Sequence, residues 1–247
     1  YSVSSQNRGK WIEDLVADYK TGMAERNIQP LSDDYIKFIR LGQHYVEKNG
    51  EGILAYISNS SFLDGLIHRQ MRKSLLETFD DIFVVNLHGN ARKKETTPDG
   101  NKDENVFNIM QGVSINIFVK RKTAPMLVGK KADSFPLVGK SNESNLATVH
   151  YCDLFGRRKE KFELLESMTF KNVAWQVLKL KEPYYFFVPK DFGLENEYKE
   201  YFGINEVMGL NACGVKTHHD AVLVSTEEFE TEYNRRYHYR PFDVQWI

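Results

Sequence analysis

Asn105-Val106-Phe107-Asn108-Ile109-Met110-Gln111-Gly112-Val113-Ser114-Ile115-Asn116-Ile117-Phe118-Val119-Lys120 is the stretch on which the fold turns. From Val113 apolar and polar residues alternate for two steps, and the run then becomes wholly apolar to Val119. That is the pattern of a strand entering a packed core. Phe107 stands just upstream, in a segment too polar to be core. It is expected at the lip of a sheet, where an aromatic ring offers a stacking surface. Tyr1 is read with it as the second wall of a slot for a flat ring.

Toward the N-terminus, residues 10–20 read as a short helix. Ser32 is expected to cap a second one, with Asp33 and Asp34 in its first turn. Tyr35, Phe38, Ile39, Gly42, Tyr45 and Val46 form its apolar face, and Asn49-Gly50 ends it. Gly52 to Ile57 is a short apolar run between turn signals, which predicts a strand buried on both faces. Leu63, Ile67, Met71, Leu75 and Phe79 recur every four residues, predicting one amphipathic helix with Arg69, Arg72, Lys73 and Glu77 on its outer face. Ile82 to Leu87 is the next buried strand, and a polar loop from His88 to Glu104 leads back to the central stretch. Alternating helices and strands imply an α/β layer. The strand at 113–119 has no helix before it and is free to pair antiparallel.

Beyond Lys120-Arg121-Lys122 helical pattern thins, and short apolar stretches alternate with Gly, Pro and Asn turns. The expected organisation is an α/β region over 1–122, then a linker and an α+β or mostly β region over 123–247. Thr148–Leu154 and Ala221–Val224 read as strands there. Arg157–Glu166, Leu194–Phe202 and Thr226–Arg236 read as helices. The aromatic run Tyr184-Tyr185-Phe186-Phe187 reads as a core or interdomain strand.

Composition narrows the function classes. Hydrophobic residues at 41% provide for a sizeable core. A formal net charge of −1 gives no overall positive field, so any nucleic-acid affinity must be local. Cys152 and Cys213 offer neither zinc spacing nor a disulfide framework, which fits a reducing cytoplasm. No apolar run reaches transmembrane length and the start lacks a signal-peptide layout, so no membrane is expected. The chain opens without Met, as if cut from something longer.

These residues support a family resemblance. The first half resembles the C-terminal half of a γ-class N6-adenine DNA methyltransferase domain, as found in single-polypeptide restriction–modification enzymes. Tyr1-Ser2 fits the last residue of that family's Asn-Pro-Pro-Tyr motif, whose Asn-Pro-Pro is not in this chain. Gly50 to Phe62 and Arg69 to Leu76 resemble the strand and helix that follow the catalytic loop. Val106-Phe107 with Gly112 to Lys120 resembles the late motif whose Phe packs on an extruded adenine. Gly214-Val215-Lys216-Thr217 and Tyr239 to Asp243 resemble the start of a target-recognition region, although His218-His219-Asp220 replaces the Gly usual after Thr217.

The resemblance implies the later strands of a Rossmann-like methyltransferase sheet, the last of them antiparallel. It implies Tyr1 and Phe107 as the catalytic base-stacking pair, with no metal. It implies double-stranded DNA as partner, alongside other domains of a longer polypeptide, and S-adenosylmethionine as cofactor of the full-length enzyme. The cofactor's Gly-rich loop precedes Asn-Pro-Pro-Tyr in this class, so this chain alone is expected to bind it poorly and to be inactive. Candidate DNA contacts are Arg92, Lys93, Lys94 and Lys102 in the polar loop, and Lys216 and Thr217 in a Gly-supported turn. Asn59, Ser60 and Ser61 are further candidates to line the pocket. Two other readings stay open: a non-catalytic DNA-specificity or docking module, and a methyltransferase acting on RNA or protein. His218-His219-Asp220 does not converge on a metal by spacing, and Pro98-Asp99 with Glu197-Tyr198-Lys199 lacks the strand context of a nuclease.

Overall fold

The computed structural model describes residues 9–25, 27–122, 146–203 and 206. The chain divides into two compact units, Tyr1–Lys190 and Asp191–Ile247. In the first unit, α1 (Trp11–Ala17) runs into a 3-10 turn at Asp18–Lys20. Then comes α2 (Asp34–Asn49), capped by Asp33 rather than by the expected Ser32. The Asp33 carboxylate accepts from Asp34 N at 2.8 Å. Ser32 instead closes a 3-10 turn and accepts from Lys20 Nζ at 2.9 Å. Gly50 ends α2 with φ 82°, a left-handed geometry that favours glycine. The buried stripe of α2 includes Ile36, Ile39, Gln43 and Val46. Phe38 and Tyr45, expected on that stripe, are 57% and 59% exposed.

A five-stranded sheet follows in the order β1-β3-β2-β4-β5. Its strands are β1 (Gly52–Asn59), β2 (Asp81–His88), β3 (Val113–Lys120), β4 (Thr148–Asp153) and β5 (Gln176–Val177). β3 lies between β1 and β2 and is antiparallel to both, so β1 and β2 point the same way across it. The strand without a preceding helix does pair antiparallel. β4 joins β2 in parallel, and β5 closes against β4 antiparallel. The architecture is therefore mixed α/β with a mostly antiparallel open sheet. β4 and β5 lie beyond residue 122, yet complete the same sheet as the strands before it.

One expectation about the strands is corrected, and the sense of one alternation is fixed. β1 is not buried on both faces: it is an edge strand, and Ile53 and Ile57 are 68% and 52% exposed. In β3 the polar residues face inward, with Ser114 and Asn116 fully buried while Ile115 and Ile117 are half-buried. This is possible because the carboxamide of Asn116 donates to Tyr56 O at 3.3 Å and to Ser114 Oγ at 3.0 Å. A buried amide that finds such partners carries little net penalty. β2 is buried along nearly its whole length, as its apolar run predicts.

The helix expected from Leu63 to Phe79 is broken. It forms α3 (Ser61–Asp64), a 3-10 turn at Leu66–His68, and α4 (Arg69–Thr78). The break is at Gly65, whose ψ of 130° takes the chain out of helical geometry. Arg72, expected on the outer face of α4, is fully buried. Its guanidinium donates to Phe62 O at 2.6 Å, Gly65 O at 2.8 Å and Tyr184 O at 2.6 Å. The carbonyls freed by the helix break thus find a donor. Burial lowers the Arg72 pKa to about 9, which leaves it charged at neutral pH.

One core lies between the sheet and α2 with α4, built on Leu31, Ile36, Ile39, Phe62, Leu75, Phe79, Ile82, Val84 and Phe118. The other face of the sheet carries Val85 and Leu87, which pack with Val106, Leu154 and the half-buried Leu165 of α5 (Arg158–Ser167). Tyr185 and Phe187 join the first core from an irregular segment, not from the expected strand. In the second unit the described residues include α6 (Glu195–Glu200). The strand and helix expected at 221–236 lie outside the described residues.

Candidate functional site

The carboxyl ends of β1 and β2 and the amino end of β3 meet at one end of the sheet. In open α/β sheets that end is where ligands bind. Residues 89–112 build the loop there. Gly89 opens it at φ 76°, and a Cβ on it would come within 2.4 Å of Asn105 Cα. Only glycine allows the two ends of the loop to approach that closely.

The loop is anchored by polar groups taken out of water. The Asp103 carboxylate accepts from Gly89 N at 2.7 Å and Gly156 N at 2.9 Å. It also pairs with the Lys161 ammonium at 2.8 Å, both side chains being fully buried. Lys161 donates further to Leu87 O and Glu104 O, each at 2.7 Å. Such a buried pair is tolerated because every charge has partners, and removing one partner is costly. Asn105 bridges the loop, donating to Gly89 O at 3.0 Å and Gln111 O at 2.6 Å and accepting from Phe107 N at 2.8 Å. Arg158 of α5 completes the clamp, reaching Asn105 O at 2.7 Å, Phe107 O at 3.1 Å and Asn108 Oδ1 at 2.7 Å.

On this scaffold Phe107 is 45% exposed. Ile109 and Met110 beside it are 49% and 54% exposed. They share an open hollow of about 510 Å³ with Arg158 and Lys102. The ring is therefore held at the surface by a braced backbone, as the sequence suggests, and is not part of the core.

A second titratable group braces the other side of the loop. His88, at φ 52°, bonds Asp153 Oδ1 at 2.6 Å through Nε2, and its Nδ1 lies 3.7 Å from Glu95. Its ring stacks on Phe155 at 3.8 Å. Burial opposes its charge, but the bonds to Asp153 and Glu95 outweigh this and raise its pKa. Tyr151 donates to the same Asp153 carboxylate and accepts from Asn86 Nδ2 at 3.0 Å.

Of the basic candidates, Arg92, Lys93, Lys94 and Lys102 are all exposed on the loop. Lys93 pairs with Asp64 at 3.2 Å and Lys102 with Glu104 at 3.1 Å. Asn59 makes a local cap, its Oδ1 accepting from Ser61 N at 2.9 Å and Ser61 Oγ at 2.7 Å. Ser60 N donates to Gly112 O at 2.9 Å, tying the exit of β1 to the entry of β3. Tyr1, Lys216, Thr217, His218 and His219 lie outside the described residues, so the Tyr1–Phe107 pairing is not observed. Among the described residues no cluster of His, Cys, Asp and Glu could hold a metal ion, and no helix is long and apolar enough to cross a membrane.

Sequence reasoning missed Asp103, Arg158 and Lys161. Arg157-Arg158-Lys159 reads as a solvated basic run, yet Arg158 reaches back across the loop while Lys159 stays exposed. Arg158 and Lys161 find these partners fifty or more residues away, beyond any local pattern.

No family model and no curated protein matches the chain. Solved structures do. An ATP-dependent Type ISP restriction-modification enzyme, LlaBIII, bound to DNA, superposes with a TM-score of 0.58 and 26% identity over 74% of this chain. A nuclease-deletion mutant of the Type ISP enzyme LlaGI, with a DNA substrate mimic, gives 0.56 and 22% over 75%. A DrdV–DNA complex gives 0.53 and 24% over 70%. The chain spans only 11%, 16% and 15% of those chains respectively.

Proposed function

We propose that this chain is a segment of a DNA restriction–modification enzyme. In this reading it carries the later half of the N6-adenine methyltransferase domain and one wall of the pocket for an extruded adenine. The observation that carries the proposal is Phe107, an exposed ring on a loop braced by Arg158, Asn105 and the buried Lys161–Asp103 pair. An aromatic left in water by so well-bonded a backbone suits a stacking partner brought from outside. The antiparallel β3 between parallel β1 and β2 supports the reading, as does the likeness to LlaBIII, a restriction-modification enzyme bound to DNA.

Methylation of an amine inside a duplex requires the base to leave the stack, at a cost of about a few kcal/mol. A ring stacked on the base returns roughly 1–3 kcal/mol. Phe107 would supply one face and Tyr1 the other. The exposed Arg92, Lys93, Lys94 and Lys102 would follow the phosphates, with Lys216 and Thr217 as further backbone contacts. S-adenosylmethionine would supply the methyl electrophile.

The turn after β1 does not fit that cofactor. The strand-to-helix turn after β1 is Asn59-Ser60-Ser61, without glycine, and it is closed by its own bonds to Ser61 and Gly112. In this reading the cofactor site belongs to other parts of a longer enzyme, as the resemblance implies, and the isolated chain is expected not to transfer methyl groups.

The test is a methylation assay on the longer enzyme with Phe107→Ala. The expected result is a fall in kcat/KM of roughly five- to a hundredfold, the equivalent of one lost stacking contact. Phe107→Tyr should retain most activity. An unchanged kcat/KM in Phe107→Ala would sink the assignment. If the chain acted only as a docking module, the exposed basic loop would give it salt-dependent duplex binding with no effect of Phe107 on any reaction.

A further inference from the structure

Apolar side chains lie open along β1 as well as at Phe107, and along β1 they do so on both faces of the sheet. On one face Ile53, Ala55 and Ile57 are exposed. They stand opposite Val119, Ile117 and Ile115 of β3, which are half-buried. The result is three adjoining cross-strand pairs without a charged or polar member. On the other face α2 lies against β1 at Gly42, where a Cβ would come within 2.5 Å of Leu54 Cδ1. Phe38 and Tyr45, at i−4 and i+3 from Gly42, share that side of α2 and stay largely exposed. The Phe38 ring lies 6.3 Å from that of Tyr56.

Between these two apolar surfaces runs a free edge. β1 pairs with β3 in an unbroken register of eight positions, and among the described residues no strand lies on its other side. Half of its backbone N–H and C=O groups therefore point outward. Edges that stay free in a folded protein are blunted by charge, proline, a bulge or shortness. Gly52-Ile53-Leu54-Ala55-Tyr56-Ile57-Ser58-Asn59 has no charge, no proline and no register shift. The opposite edge of the same sheet is blunted, because β5 is only two residues long.

The geometry limits what can cover β1. A helix or loop laid on the sheet covers one face. A strand in the plane of the sheet, about 4.8 Å from β1, reaches Ile57 on one side and Phe38 on the other and takes up the outward backbone groups as well. Both faces of such a strand meet apolar surface, so it must itself be a continuous apolar run without charges.

We infer that the free edge of β1 is the docking site of one further β-strand, an uncharged apolar segment of about five to eight residues, supplied by a part of the longer enzyme outside these 247 residues. The source of the strand rests on the reading above. It accords with the length of the solved chains that this one resembles, of each of which it spans no more than 16%. The edge is tested without DNA or methyl transfer, so a failure here leaves Phe107 untouched, and a failure of Phe107 leaves the edge untouched.

The experiment is residue-resolved amide hydrogen exchange, without DNA, on the full chain and on the longer enzyme. β2, enclosed on both sides, is the folded reference in each. In the full chain the amides of residues 52–59 that point away from β3 should exchange as open amides, and in the longer enzyme they should slow by about a hundredfold or more. Ile53→Lys combined with Ile57→Lys should return them to fast exchange in the longer enzyme while β2 stays protected, a comparison that needs the longer enzyme alone. Outward amides that exchange equally fast in both proteins overturn the inference, and so does protection that survives the two lysines. Protection already present in the full chain also overturns it. Protection that is independent of concentration gives the edge to another segment of this chain, and protection that grows with concentration gives it to a second copy.

Discussion

The carboxyl end of β1 and its outer flank are treated differently. At its carboxyl end, the loop from Gly89 to Gly112 is braced by bonds from Asp103, Asn105, Arg158 and Lys161, and exposes a single phenylalanine on a firm backbone. Along its outer flank no strand is paired among the described residues, and apolar side chains lie open on both faces. Ile53 and Ile57 are exposed on one, and Phe38 packs over Tyr56 on the other. One region is ordered by buried polar bonds although the ring it carries lies outside the core. The other is apolar and unbraced. Exposed hydrophobic residues therefore mean different things here, and what distinguishes them is the bonding of the backbone beneath.

The largest effect should come from the buried pair. Lys161→Met leaves Asp103 buried without its cation, and the loss is expected to be about 3–5 kcal/mol. Urea unfolding of the chain measures it, and a loss below about 1 kcal/mol would mean that the loop is not anchored there.

Arg158→Ala should cost less, about 1–3 kcal/mol, because the partners left behind are neutral, two of them at exposed residues, Phe107 and Asn108. Its informative readout is amide hydrogen exchange, which should accelerate from residue 105 to 110 and not in β2. Acceleration throughout the sheet would erase the distinction between brace and core.

His88 should give a smaller, pH-dependent effect. Its pKa is raised in the folded chain by Asp153 and Glu95 against the opposing effect of burial. The stability it contributes is fully present below its unfolded pKa, about 6.5, and is lost as pH rises through the folded value. Unfolding curves of wild type and His88→Gln should thus differ most below the unfolded value, about pH 6.5, and converge as pH rises above it. A difference that grows with pH would contradict the sign.

The open flank should respond least. Ile57→Ser is expected to change the stability of the isolated chain by no more than about 0.5 kcal/mol. A loss above about 1.5 kcal/mol would show that this flank is core after all.

β1 to β4 were legible in the sequence because apolar runs bounded by Gly, Asp and Asn turns are local signals, whereas the two-residue β5 was not. Ile82 to Leu87 needed nothing beyond its own composition. Local signals failed where a distant partner decides. Ser32 and Asp33 are equally good caps on paper, and Lys20 engages the first. Arg72 sits on the outer face of a four-residue repeat until Tyr184, 112 positions later, offers its carbonyl. In β3 the alternation was visible but not its direction, since Asn116 is satisfied by Tyr56 O on the neighbouring strand. At the site, Phe107 was legible as an aromatic in a polar context. The brace beneath it was not, because Asp103 and Lys161 meet across 58 residues.

The threading of β3 between its two neighbours sets an order of events during synthesis. The edge ribbon ending at Asn59 and the one ending at His88 have no contact with each other in the sheet. Both must wait for Val113–Lys120 to leave the ribosome before either gains a hydrogen-bonded neighbour on that side. A nascent chain stalled before that point would hold two sticky, unmatched ribbons, the state in which chaperone capture and aggregation compete.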